Sequence, residues 1–203
     1  MSFNSGDTDC FDIPAAKAEL RKAIREARRA LDQNERQVQA AAVAEHIAHL
    51  PQLSLMHGGV LLAYMPMRYE LDILPAVLKL RGLGFEIAFP LCTEEHGLRL
   101  LIPPEDGFRK GAYGITEPVP ELSREVAPED LAAILLPAIG FDKSFARLGQ
   151  GGGYYDRLLA KTSCLTVACG FDCQLVERVP TEPFDRKVDI IVTPSWVGEG
   201  SAE

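Results

Sequence analysis

Several features that would assign the chain quickly are missing. Its longest unbroken apolar runs, Val60 to Met65 and Leu131 to Leu136, are a fraction of the roughly 20 residues that span a bilayer, so no membrane-spanning helix is expected. Positive charge is short: 21 Lys and Arg stand against 29 Asp and Glu, giving a net charge of −8. That balance disfavours broad, sequence-independent binding to nucleic acid, but leaves room for a few convergent cations around a small anion. The five cysteines form no C-x-x-C pair; they read as free thiols in a reducing compartment. The first thirteen residues hold neither a basic segment nor an apolar core, so no secretory or mitochondrial leader is expected and a cytoplasmic location is. Internal repeats and low-complexity segments are absent.

What remains is ordinary globular composition, 203 residues with 47% apolar and 25% charged, enough for one domain with a sizeable core. Residues 1–13 are expected to be a disordered tail, 14–197 a single α/β domain and 198–203 a second tail. Pro14 suits a first helical turn, and Ala16, Leu20, Ala23, Ile24, Ala27 and Leu31 make an apolar stripe at helical spacing, so 14–31 is read as a helix. Asp32 and Glu35 have the spacing of a capping box for a second helix to about Leu50. Short apolar segments at 60–64, 85–89, 98–102, 132–136, 165–169 and 188–192 read as strands. Helices are expected near 73–80 and 154–161, and 103–130 as a proline-rich connection. Buried strands alternating with helices imply a three-layer α/β fold, a mainly parallel sheet with helices on both faces. Ligands of such sheets bind beyond the carboxyl ends of the strands.

The most informative run follows the strand at 132–136: Arg147, Leu148, Gly149, Gln150, Gly151, Gly152, Gly153, Tyr154, Tyr155, Asp156. Four of the five residues from Gly149 to Gly153 are glycine, between a strand and a helix. Glycine permits positive φ and close backbone approach, and successive N–H groups form an anion cradle. The spacing is neither a Walker A loop nor G-x-G-x-x-G. A flexible surface loop is the plainer alternative. Arg147, a fork for phosphate oxygens, and Asp156, an acid suited to Mg²⁺ beside phosphates, favour the cradle.

This run resembles the signature of the 5-formyltetrahydrofolate cyclo-ligase family, and the resemblance extends from about Ala16 to Thr193. It implies a cyclo-ligase that uses ATP and Mg²⁺ to convert 5-formyltetrahydrofolate into 5,10-methenyltetrahydrofolate, releasing ADP and phosphate. By the same resemblance, Lys17 and Arg21 are an amino-terminal pair for ATP phosphates, acting with Arg147 in catalysis. The residues from Leu148 to Tyr155 complete the ATP site. Met65 and Glu70 are implied to bind the folate, together with Gln150, Gly151, Gly152, Gly153 and Tyr154. Asp156 and Asp189 are implied to hold the metal, and Tyr113 to Pro118 to border the site. Many members of the family carry Arg where this chain has Gln150, and some carry Lys at Gly152, so two cations are missing here. That loss motivates an alternative, a non-catalytic paralogue binding nucleotide or folate in a regulatory role.

Plainer readings apply elsewhere. Lys22, Arg25, Arg28 and Arg29 read as a solvated basic face. Glu70 and Asp72 are also candidate caps for the helix near Ile73. His46 and His49 lack the further ligands of a zinc site. Asp185, Arg186 and Lys187 read as a solvated turn.

Overall fold

The computed structural model describes residues 12–94, 97–111, 114–183 and 185–200. Asp12 opens helix α1 (Ile13–Ala30) by accepting from the Ala15 N–H at 3.1 Å. Most of the expected tail, residues 1–11, and Tyr113 lie outside the described residues. The capping box read at Asp32 forms at α2 (Gln33–Ala48): Asp32 and Glu35 each accept the other's backbone N–H at 2.8 Å. A short α3 (Pro51–Leu55) then leads into β1 (Gly59–Leu62), followed by α4 (Leu74–Gly82), β2 (Phe85–Cys92) and β3 (Leu98–Ile102).

The stretch 103–130 is not a single loop. It contains β4 (Phe108–Lys110) and β5 (Thr116–Pro118), paired as a small antiparallel ribbon, and then β6 (Arg124–Val126). β7 (Leu131–Pro137) returns the chain to the middle of the sheet. A hairpin, β8 (Gly140–Asp142) and β9 (Arg147–Leu148), leads to the glycine run and α5 (Tyr154–Leu159). β10 (Leu165–Cys169), β11 (Leu175–Val176), β12 (Ile190–Val192) and β13 (Val197–Glu199) complete the order.

The main sheet runs β13-β12-β10-β7-β1-β2-β3-β6. Its five central strands, β12 to β2, are parallel, and β13, β3 and β6 add antiparallel edges. The expectation of a mainly parallel sheet holds for the centre; the edges are a refinement. β2 runs through Pro90, which a central strand would reject. Its pairing with β1 ends at Ala88 and that with β3 starts at Phe89, so Pro90 lies beyond the parallel ladder that would need its N–H. At the other edge the expected tail from residue 198 is corrected: Gly198 and Glu199 pair with Ile191 and Ile190, covering backbone groups of β12 that would otherwise form an open edge.

Successive residues of each central strand alternate between two apolar layers. Leu61, Ile87, Ala133, Leu135 and Val167 face α2 and α4, where Val43, Ile47, Val77 and Leu80 are buried against them. Leu62, Ala88, Ile134, Leu136 and Ala168 face Leu158 and Leu159 of α5. Strands buried on both faces carry no polar alternation, which is why they read as continuous apolar runs.

α1 departs from its expected stripe. Of that stripe Ala23 is exposed, Ile24 is buried and Ala16, Leu20, Ala27 and Leu31 are half-buried, while Lys17, Arg21 and Arg28 turn inward at helical intervals beside them. Ile24 meets Ile139, Ala146 and Leu148 and Leu20 packs beside it, so α1 rests on the β8–β9 hairpin through a small apolar contact flanked by cations.

That hairpin is fixed by a buried acid. Asp142 Oδ1 accepts from Ser144 N and Oγ and from Ala146 N, and its Oδ2 accepts from Val179 N at 2.7 Å. Phe145 takes a left-handed φ of 66° within this turn. Replacing Asp142 with Ala strips buried N–H groups of their acceptor, at about 1–3 kcal/mol for each group left unsatisfied. The expected outcome is a loss of about 2–4 kcal/mol in urea unfolding; an unchanged midpoint would contradict the anchoring role.

Candidate active site

The glycine run sits where Arg21 reaches it from α1: Arg21 Nε donates to the Gly149 carbonyl at 2.9 Å. Gly151 has φ +104° and Gly153, at the start of α5, +67°. A side chain on Gly151 would also stand 3.7 Å from the Arg21 guanidinium, filling the space in front of it. A side chain on Gly152 would meet the Tyr154 ring at 2.9 Å. A lysine at position 152 is therefore incompatible with this ring position.

Arg147, delivered by β9, is buried and donates to Asp156 Oδ1 at 2.6 Å. Its Nε is fully buried and finds no acceptor among the described residues. An unsatisfied guanidinium nitrogen beside a glycine loop fits a phosphate oxygen. Lys17 is held by Glu182 at 2.7 Å and Asp185 at 2.6 Å. Burial opposes its charge, but the hydrogen bonds to Asp185 and Glu182 outweigh that and raise its pKa. Asp185, read as part of a solvated turn, is therefore a half-buried partner of α1.

On the other side of the run, Gln150 is exposed and bridges two elements. Its Oε1 accepts from Arg25 at 2.8 Å and its Nε2 donates to Glu70 Oε1 at 3.0 Å. Glu70 does not cap α4; its second oxygen accepts from the Met67 N–H, while Asp72 accepts from Leu74. Glu70 lines a cavity of about 470 Å³ with Met67, Tyr69, Arg25, Arg28 and Gln150. Arg29, Arg68 and Lys110 also line it. The basic face of α1 is thus in part a cavity wall. The spacing 17-21-24-28 was the signal that would have found Arg28.

Several expected placements are corrected. Met65 packs against the core and is not part of the cavity wall, which Met67 supplies. The Leu148 side chain is buried beside Ile24, so it supports the cradle from behind. Tyr155 packs on the α5 side of the sheet, and burial raises its hydroxyl pKa, so it is a wall rather than an open stacking ring. Tyr154 is half-buried with Arg157 5.3 Å over its ring. Asp189 does not join Asp156. It opens β12 at the amino ends of the parallel strands, where its Oδ2 accepts from Thr166 N and Oγ1 at 2.8 and 2.7 Å. The cradle follows the carboxyl ends. Asp189 is a clasp between β10 and β12.

Among the described residues no group of three or more His, Cys, Asp or Glu is arranged to hold a metal ion. This donor set fits an ion that arrives on phosphates and takes one protein carboxylate, the usual habit of Mg²⁺. His46 is structural, its Nδ1 lying 3.0 Å from the Thr193 carbonyl. No helix among the described residues is long and apolar enough to cross a membrane.

The model of the 5-formyltetrahydrofolate cyclo-ligase family matches residues 13–194. The chain is 31% identical over 185 residues to the 5-formyltetrahydrofolate cyclo-ligase of Escherichia coli, covering 87% of this chain and 99% of that protein. It is 29% identical over 189 residues to the enzyme of the same name from Mycolicibacterium smegmatis, covering 89% and 95%. The NMR structure of Aquifex aeolicus 5,10-methenyltetrahydrofolate synthetase superposes with a TM-score of 0.79 at 32% identity, covering 92% of this chain and 94% of that one. A Mycoplasma pneumoniae 5,10-methenyltetrahydrofolate synthetase shares the fold, with a TM-score of 0.71 at 21% identity over 88% of this chain and 98% of its own. A match across nearly every described element, on a chain whose glycine cradle, buried arginine and Glu70 cavity lie together, places the protein in the 5-formyltetrahydrofolate cyclo-ligase family.

Proposed function

We propose that the chain catalyses the ATP- and Mg²⁺-dependent cyclisation of 5-formyltetrahydrofolate to 5,10-methenyltetrahydrofolate, with release of ADP and phosphate. The observation that carries this reading is the adjacency of two unlike sites joined by Gln150: a cationic glycine cradle and a cavity holding Glu70. In this reading the formyl oxygen displaces ADP from the γ-phosphorus. N10 then adds to the formyl carbon, the oxygen leaves on phosphate, and N10 loses its proton. No covalent enzyme nucleophile is required, so the protein's contribution is positioning and neutralisation of charge.

The cradle and Arg147 hold the transferring phosphoryl group, with Arg147 oriented by Asp156. Lys17 and Arg21 approach the same loop from α1, and ATP phosphates take the place of Glu182 and Asp185 on Lys17. Glu70 accepts from the donor edge of the pterin, and Gln150 fixes it there. Mg²⁺, when bound, neutralises phosphate oxygens, with Asp156 its protein ligand. The cations absent at positions 150 and 152 do not favour the non-catalytic alternative, because Arg21, Arg25 and Arg147 occupy the same neighbourhood.

Purified protein mixed with 5-formyltetrahydrofolate, ATP and Mg²⁺ is expected to form the methenyl chromophore, and to form none without ATP; product without nucleotide would overturn the reading. Arg147→Ala should raise the KM for ATP about tenfold or more, the scale of a charge-assisted hydrogen bond, with little change in the folate KM. A shifted folate KM alone would place Arg147 on the wrong substrate. Asp156→Asn should raise the Mg²⁺ concentration for half-maximal rate. Asp189→Asn should leave that concentration unchanged and lower the thermal midpoint, since it turns an acceptor toward Thr166 into a donor. The reverse pattern would return Asp189 to the metal.

A further inference from the structure

Arg28 is the most anomalous charged side chain in the cavity wall. It is 5% exposed, its Nε is fully buried, and no acceptor among the described residues takes a hydrogen bond from it. A buried guanidinium without a partner is strongly unfavourable, and an apolar residue of similar volume would normally be more stable. The obvious partner is present but unused. Glu70 lines the same cavity, yet no Arg28–Glu70 ion pair forms among the described residues. Glu70 instead accepts from the Met67 N–H and the Gln150 amide, one bond to each oxygen, which leaves a free lone pair on both.

One cavity therefore presents a donor-only group and an acceptor-only group that are not satisfied by each other. A simple anion would meet the Glu70 carboxylate there, and a simple cation would meet Arg25, Arg28 and Arg29. The ligand that satisfies both offers an acceptor next to donors on one edge, a ring lactam with its neighbouring N–H and amino groups.

We infer that Arg28 is a substrate-binding residue that donates to the ring carbonyl of the pterin while Glu70 accepts from the adjoining N–H donors. This rests on the folate reading of the cavity. Arg28 then has a stated specificity role: it distinguishes a ring bearing a carbonyl from one bearing an amino group at that position. Arg25 does not share it, being engaged with Gln150 at 2.8 Å.

The test uses the full chain with ATP and Mg²⁺, and a tetrahydrofolate analogue with an amino group in place of the ring carbonyl as inhibitor. Arg28→Met should raise the KM for 5-formyltetrahydrofolate about tenfold or more, the scale of a lost hydrogen bond to a charged group. The KM for ATP should stay within about twofold, and the thermal midpoint should not fall, because an unpaired buried charge has been removed. The amino analogue should inhibit Arg28→Met at least as well as the parent, so discrimination between the two rings disappears. Arg28→Lys, which keeps the charge without the fork, should fall between them and serves if the Met variant does not fold. An unchanged folate KM in either variant, or equal weakening of both rings, would overturn the inference. Parent protein that makes no methenyl product would instead overturn the proposed function, while parent turnover with an unaltered Arg28→Met folate KM would overturn the role of Arg28 alone.

Discussion

Burying positive charge on one face of one helix is the constraint around which this site is arranged. α1 turns Lys17, Arg21 and Arg28 toward the interior with little apolar surface between them beyond Leu20 and Ile24. Each cation requires an oxygen, and the three differ in how far the protein supplies one. Lys17 takes two carboxylates from the segment before β12, Arg21 takes a carbonyl of the glycine loop, and Arg28 takes none from the described protein. The placement of the loop, the acids and the cavity can be read as responses to that helix. The β8–β9 hairpin, anchored on Asp142 and on the Gln174 amide beneath Ala138 and Ile139, supplies the rigid surface on which α1 rests.

The two substrates of the proposed reaction differ in what they ask of a protein, and the two halves of the site differ accordingly. The phosphate side is backbone and fixed guanidinium, suited to a ligand of dispersed charge. The cavity side mixes one acid with several bases, suited to a ligand with both polarities on one edge. Gln150 belongs to both. An amide accepts from Arg25 and donates to Glu70 at once, which a guanidinium cannot do because it has no acceptor. Gln150 therefore provides a mechanical link between the halves that an Arg at this position could not.

Much of this is legible in the sequence. The central strands were visible because residues buried on both faces leave uninterrupted apolar runs, and the Asp32–Glu35 box because capping is local. The glycine run and Arg147 were legible because backbone freedom beside a fixed cation is a sequence-local signal. The edges were not. β13 and β6 are three residues long and owe their existence to neighbours distant in sequence. Asp189 misled for a similar reason: an acid beside a strand looks the same whether it lies at the amino or the carboxyl end, and only the parallel register with β10 puts it with Thr166. Arg28 was hidden by its neighbours. Within a run of basic residues only the helical spacing from Lys17, Arg21 and Ile24 marks which one turns inward.

The clasp of Lys17 by Glu182 and Asp185 carries a last consequence. The acids act as resident counter-ions, so the phosphate end of the site is close to neutral when empty. A monovalent anion arriving there would replace two strong partners of Lys17 with one weak one and gain nothing. A polyphosphate brings enough charge at once to displace both. Selectivity for highly charged ligands thus arises from an occupied site rather than from an open one.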